Sequence, residues 1–122
     1  MASLTEGQHA GEFILAEVDP YISREIVTVT VPTGGLEAGA VLGQLSATDK
    51  YVPYDNADTD GRESAAGILV ENLPDSGDAT ATIVARLAAV RRADLQYLTG
   101  TSAGDKTAAE VELLARFITV RD

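Results

Sequence analysis

GGLEAGAVLGQLSATDKYVPYDNADTDGRESAAGILV, residues 34–70, is the stretch whose reading decides the fold. Val41-Leu42-Gly43-Gln44-Leu45 is a compact apolar run entered through Gly39, the form of a short strand. Lys50-Tyr51-Val52-Pro53-Tyr54 alternates aromatic and aliphatic residues at period two, as a half-buried strand does. Pro53 lacks an amide proton, which places that strand at a sheet edge or a bulge. Asp55 to Gly61 gathers polar turn formers, and Asp60-Gly61 suits a turn that needs positive φ. Ala65 to Val70 (AAGILV) reads as a small-residue strand, where Gly67 leaves room for a close neighbour. Three short strands joined by turns make the chain mainly β.

Outward from this stretch, towards the N-terminus, Ile26-Val27-Thr28-Val29-Thr30-Val31 is the cleanest strand. Its valines share one face and its threonines the other. Asp19-Pro20 marks a break before it. Met1 to Gly11 has no hydrophobic period and reads as an arm without structure of its own. Glu12-Phe13-Ile14-Leu15-Ala16-Glu17 then brings three large apolar residues together. Two readings of Phe13, Ile14 and Leu15 stand side by side. They pack on the domain as a first strand, or they form a docking strand that orders against a partner's sheet edge.

Towards the C-terminus, Glu71 to Thr80 reads as a loop. Ala81 to Leu87 reads as a strand, on its β-branched Thr82, Ile83 and Val84, that yields near Ala89. Arg91 to Leu95 suits one helical turn. The adjacent Arg91 and Arg92 either neutralise an acidic subunit locally or touch a partner. Thr107 to Glu110 has capping-box spacing. Val111, Leu114, Ala115 and Ile118 recur at helical spacing, so the helix lays one face on the sheet. Phe117 to Val120 reads as a terminal strand.

Composition bounds the function. At 122 residues the chain is one domain, and its net charge is -10. Nucleic-acid binding runs on lysine and arginine contacts to phosphate, and anionic membranes attract basic segments, so both partners are disfavoured. No cysteine is present and His9 is the one histidine, so a disulfide framework, a thiolate site and a histidine metal centre all lack ligands. No apolar run approaches spanning length and the N-terminus lacks a signal-peptide core, which leads us to expect a soluble protein. With no tryptophan, two phenylalanines and four tyrosines, the core must be aliphatic, of a kind often completed by self-association.

Three features imitate chemistry. Asn56-Ala57-Asp58-Thr59-Asp60-Gly61 resembles half a calcium loop, but Asn56 replaces the first Asp and Gly67 the bidentate Glu. Thr48-Asp49-Lys50, after Gly39-Ala40-Val41-Leu42, resembles the modified-lysine hairpin of lipoyl and biotinyl carrier domains. The acidic residues offer carboxylate pairs, yet they sit mostly in turns and on polar strand faces, where they stay solvated. We therefore assign no catalytic residue, cofactor or metal site.

The run Lys50-Tyr51-Val52-Pro53-Tyr54-Asp55, then Thr59-Asp60-Gly61, then Ala65 to Leu69, resembles the head decoration proteins of tailed phages, of the phage lambda type. The likeness begins at Gly34-Gly35-Leu36 and runs through Arg92-Ala93-Asp94-Leu95-Gln96-Tyr97 to Phe117-Ile118-Thr119-Val120. It implies a mainly β (α+β) fold: a β-clip-like barrel of short strands, one or two short helices and an extended N-terminal arm. It implies a homotrimer that cements the expanded head from the outer surface of the virion, with the major capsid protein as partner. Residues 1–18 would form the arm and 19–122 the decoration domain. By position in the family, Leu4, Thr5, Glu6, Gly7, Gln8, His9, Ala10, Gly11, Glu12, Phe13, Ile14 and Leu15 would contact the capsid. Asp60, Gly61 and Gly67 would be structural turn residues. The alternatives from other classes are a carrier domain modified at Lys50 and a small β-clip ligand-binding module.

Overall fold

The computed structural model describes residues 11–122. Its elements are β1 (Ile14–Glu17), α1 (Pro20–Ser23), β2 (Arg24–Val31), β3 (Val41–Gln44), β4 (Tyr51–Pro53), β5 (Ala65–Leu69), β6 (Gly77–Val84), β7 (Ala88–Arg91), α2 (Ala103–Leu114) and β8 (Ile118–Arg121). Five strands close a barrel in the order β2-β4-β3-β5-β6, and β1-β7-β8 form a separate sheet. The mainly β, barrel-type fold with two short helices is therefore the one observed.

β2 and β6 close the barrel by pairing along their whole lengths, from Arg24 opposite Val84 to Val31 opposite Gly77. Val29 and Val31 point inward and are buried, as the valine period requires. The length of β2 also corrects the expected loop at Glu71 to Thr80. β6 begins at Gly77, because its polar outer residues Asp78 and Thr80 are paired along β2. At its other end β6 stops at Val84. The amides of Ala85 and Arg86 turn to the Ser23 carbonyl, Leu87 takes φ 55, and the chain crosses to β7 in the other sheet.

β5 is buried at every position. A bulge opposite Leu42 and Gly43 inserts one extra residue, so same-face residues lie three apart. Ala66 and Leu69 face the barrel interior with Leu42 and Ile83. Ala65 and Ile68 face a second core with Val41, Val84, Leu113 and Phe13. Gly67 is needed here, since a Cβ would lie 2.8 Å from Ile83 Cδ1 and 3.0 Å from the Val84 carbonyl oxygen.

Pro53 occupies neither edge nor bulge; β4 lies inside the barrel between β3 and β2. The Tyr54 amide donates to the Val41 carbonyl at 2.9 Å, so the Pro53 nitrogen faces the β2 side. There the pairing is confined to Val29 with Tyr51, and no ladder bond is lost.

α2 begins earlier than its expected capping box. Ser102 is the N-cap, its hydroxyl accepting the Asp105 amide at 3.1 Å, while Thr107 bonds back to the Ala103 carbonyl within the helix. The buried stripe is Ala109 and Leu113; Val111 and Leu114 face outward, and Ile118 is buried from β8.

Of the two readings of Phe13 to Leu15, the structure has the first strand. β1 pairs antiparallel with β7, Phe13 is fully buried, and its carbonyl accepts the Arg91 amide at 2.8 Å. Residues 14–17, within the segment expected to form the arm, thus belong to the body's own sheet. Phe13→Ala should lower unfolding free energy by about 3–5 kcal/mol. Leu15→Ala, at a position 42% exposed, should cost under about 1 kcal/mol. Denaturant titration of both variants distinguishes a core phenylalanine from an arm phenylalanine.

Candidate functional site

Gly11 is the first described residue. Its amide donates to the Val70 carbonyl at 2.8 Å, and its φ of 70 reverses the chain so that its carbonyl accepts the Ile14 amide at 3.0 Å. Phe13 follows into the core, Ile14 packs against it, and Leu15 and Ala16 are exposed. β1 is an outer strand of its sheet. Leu4, Thr5, Glu6, Gly7, Gln8, His9 and Ala10 lie outside the described residues.

The turn at residues 55–63 commits its carboxylates internally. Arg62 lies 3.0 Å from Asp60 and 3.5 Å from Asp58, and the Asp55 side chain accepts the Ala57 amide. The Arg62 hydrogen bond holds Asp60 below the usual carboxylate range. Asn56 donates to the Asp105 side chain at 3.0 Å, tying the turn to α2. Gly61 takes φ 113, with its Cβ position 2.3 Å from the Gln44 carbonyl oxygen, so no other residue fits. Asp60 itself needs no positive φ; its part in the turn is the ion pair. Among the described residues no group of three acidic, histidine or cysteine side chains is placed to hold a metal.

Lys50 is likewise occupied. Its ammonium lies 2.6 Å from Asp78, which also accepts the Thr30 hydroxyl at 2.7 Å. This bridge fastens β4 to the β2–β6 pair and draws Asp78 below the usual carboxylate range, through Lys50 first and Thr30 second. Asp60 and Asp78 are both displaced downward, the direction opposite to that of a general acid. The second arginine of the Arg91-Arg92 pair ties the 3₁₀ turn at Arg92–Asp94 to Glu110 of α2 and to Asp122. Arg91 lies 3.8 Å from Asp94. Local neutralisation is the reading this arrangement supports.

Tyr54 and Tyr97 meet edge to face, with ring centroids 6.4 Å apart. The Tyr54 hydroxyl donates to the Asp105 carbonyl at 3.1 Å, and Lys106 lies 5.4 Å from the Tyr97 ring centre. Burial, then Glu112 for Tyr54 and Glu110 for Tyr97, pushes both phenols up to about 12. The pair fastens the first turns of α2 to the barrel and has no nucleophile to activate. What sequence reasoning missed is the outer apolar surface: Val111 and Leu114 were assigned to the core, while Val18, Tyr21 and Phe117 are more than two-thirds exposed. The i, i+4 pair Ala109 and Leu113 was the available signal.

A family model for bacteriophage lambda head decoration protein D matches residues 3–118, and the chain belongs to that family. It is a structural protein of the phage head, located on the capsid surface, and not an enzyme. A search of curated proteins finds no match.

Tyr54→Phe removes the hydroxyl bond to the Asp105 carbonyl, which keeps its partner within α2, and should cost about 0.5–1.5 kcal/mol. The Tyr97 hydroxyl is buried with no partner among the described residues, so Tyr97→Phe should be neutral or stabilising. Both phenols are raised in the folded state from an ordinary value of 10.0, so their contribution is complete below pH 10 and is lost as pH climbs to about 12. Thermal melts of the two variants, with an ultraviolet phenolate titration of the wild type, check these outcomes.

Proposed function

We propose that three copies of this chain close a ring on the expanded phage head and clamp neighbouring capsid subunits against internal DNA pressure. The observation that carries this reading is the extent of the family match, which covers residues 3–10 as well as the body. The segment before Gly11 is thus part of what defines the family. Its partner is the major capsid protein.

In this mechanism residues 1–12 reach from the body along an exposed capsid strand and add backbone hydrogen bonds to it, with Leu4 and the exposed Leu15 supplying apolar contact. Ten extended residues span roughly 35 Å. Phe13 stays in the core and acts as the anchor against which the arm pulls.

Ordering the arm costs on the order of 1–2 kcal/mol per residue, while each hydrogen bond returns about 0.5–1.5 kcal/mol net. One arm alone therefore binds weakly. Three arms on one rigid body make the second and third contacts intramolecular, which raises avidity by roughly 100-fold or more. The acidic surface faces solvent, away from the shell.

Deleting residues 1–10 removes the arm without touching Phe13. The truncated protein should keep its melting temperature and oligomeric state, and its retention on emptied, expanded shells should fall at least 100-fold. Undiminished retention would exclude the arm from the mechanism.

A further inference from the structure

Asp60-Gly61 is the one Asp-Gly pair in the chain, and no Asn-Gly pair is present. In an unfolded chain an aspartate followed by glycine is prone to isomerise, because glycine has no side chain to shield its amide nitrogen. That nitrogen gives up its proton and attacks the aspartyl Cγ, a carboxyl oxygen leaves as water, and a succinimide ring closes. Water then reopens the ring. Where it breaks the bond between the nitrogen and the main-chain carbonyl carbon, the backbone is left running through the side chain, one carbon longer.

The fold opposes each requirement of ring closure. The Arg62 guanidinium holds both Asp60 oxygens, with Nε 3.1 Å from each and Nη2 3.0 Å from Oδ2, which favours the ionised and least electrophilic carboxyl. The Gly61 amide donates to Glu63 Oε1 at 2.8 Å, and a carboxylate beside that nitrogen disfavours its becoming an anion. The same peptide group is held at its other end, where the Asp60 carbonyl accepts the Ser46 amide at 2.9 Å. Asp60 is itself exposed, so burial supplies none of this.

A longer backbone would not fit. A Cβ on Gly61 would lie 2.3 Å from the Gln44 carbonyl oxygen, and one on Gly43 would lie 2.5 Å from Arg62 Cα. The turn and β3 are thus in backbone contact, and an inserted carbon would force them apart.

We propose that Arg62 and Glu63 guard Asp60-Gly61 against isomerisation, so that a modification site written into the sequence is kept silent by the fold. This guard is independent of the arm and of the oligomer. The same chain supplies an unguarded comparison. Asp75-Ser76 lies exposed in the loop before β6, and Asp75 makes no side-chain bond among the described residues. Serine crowds its own amide nitrogen more than glycine does, so in an unfolded chain Asp75 reacts more slowly than Asp60.

Ageing the full-length protein at neutral pH and reading isoaspartate at each site by fragmentation mass spectrometry tests the guard. In urea, Asp60 should isomerise faster than Asp75. In the folded wild type that order should invert, with Asp60 slowed about tenfold or more because reaction waits on local opening. Arg62→Gln and, separately, Glu63→Ala should each speed Asp60 roughly three- to fivefold, the weight of an exposed charged contact, and leave Asp75 unchanged. Arg62→Lys, which keeps the charge, should restore much of the protection. Folded wild type that isomerises at Asp60 as fast as in urea overturns the proposal. So do variants with an unchanged Asp60 rate, or with both sites accelerated equally, which is loss of fold and not of a guard.

Discussion

β5 is one wall shared by two cores. Its five residues are all buried, and the bulge across from Leu42 and Gly43 sends Ala66 and Leu69 into the barrel while Ala65 and Ile68 face α2 and β1. Between the two cores, Gly67 has no space for even a methyl group. The bulge frees the Ala65 amide, and Glu112 of α2 accepts it at 3.0 Å. Barrel and helix are therefore locked by packing and by a specific hydrogen bond. Neither shifts without the other.

That lock also holds β1. β1 pairs with β7, and Phe13 enters the same core as Ile68 and Leu113. Gly11 is thus tied, through Phe13, to the packed centre of the molecule. The ion pairs Lys50 with Asp78 and Arg24 with Glu17 brace the strands on either side of this path. The polar side chains that imitate a calcium loop and a carrier lysine are consumed in holding turns closed.

Much of the barrel was legible because period-two patterns survive in short strands. The Val27, Val29 and Val31 face, the strand at Val41 to Leu45 and the run at Ala65 to Val70 all stand where the pattern put them. Gly61 and Gly67 were legible through their missing side chains. Pro53 was misplaced because a strand inside a closed barrel still loses its second partner where that partner's ladder ends. α2 was misphased because Val111, Leu114, Ala115 and Ile118 keep helical spacing without sharing the helix, which ends at Leu114. The start of β6 was hidden because Asp78 and Thr80 are polar on a solvent face, and their strand character comes from β2. The N-terminal segment stood out in the sequence as a composition change at Gly11. Phe13 looked like part of it because burial by a distant element leaves no local mark.

Electron cryo-microscopy of expanded shells saturated with the full-length protein tests the central claim most directly. The account predicts three bodies around each occupied axis and continuous density for residues 1–10 lying along a capsid strand. Single bodies on the shell, with residues 1–10 folded against their own β1, would contradict it.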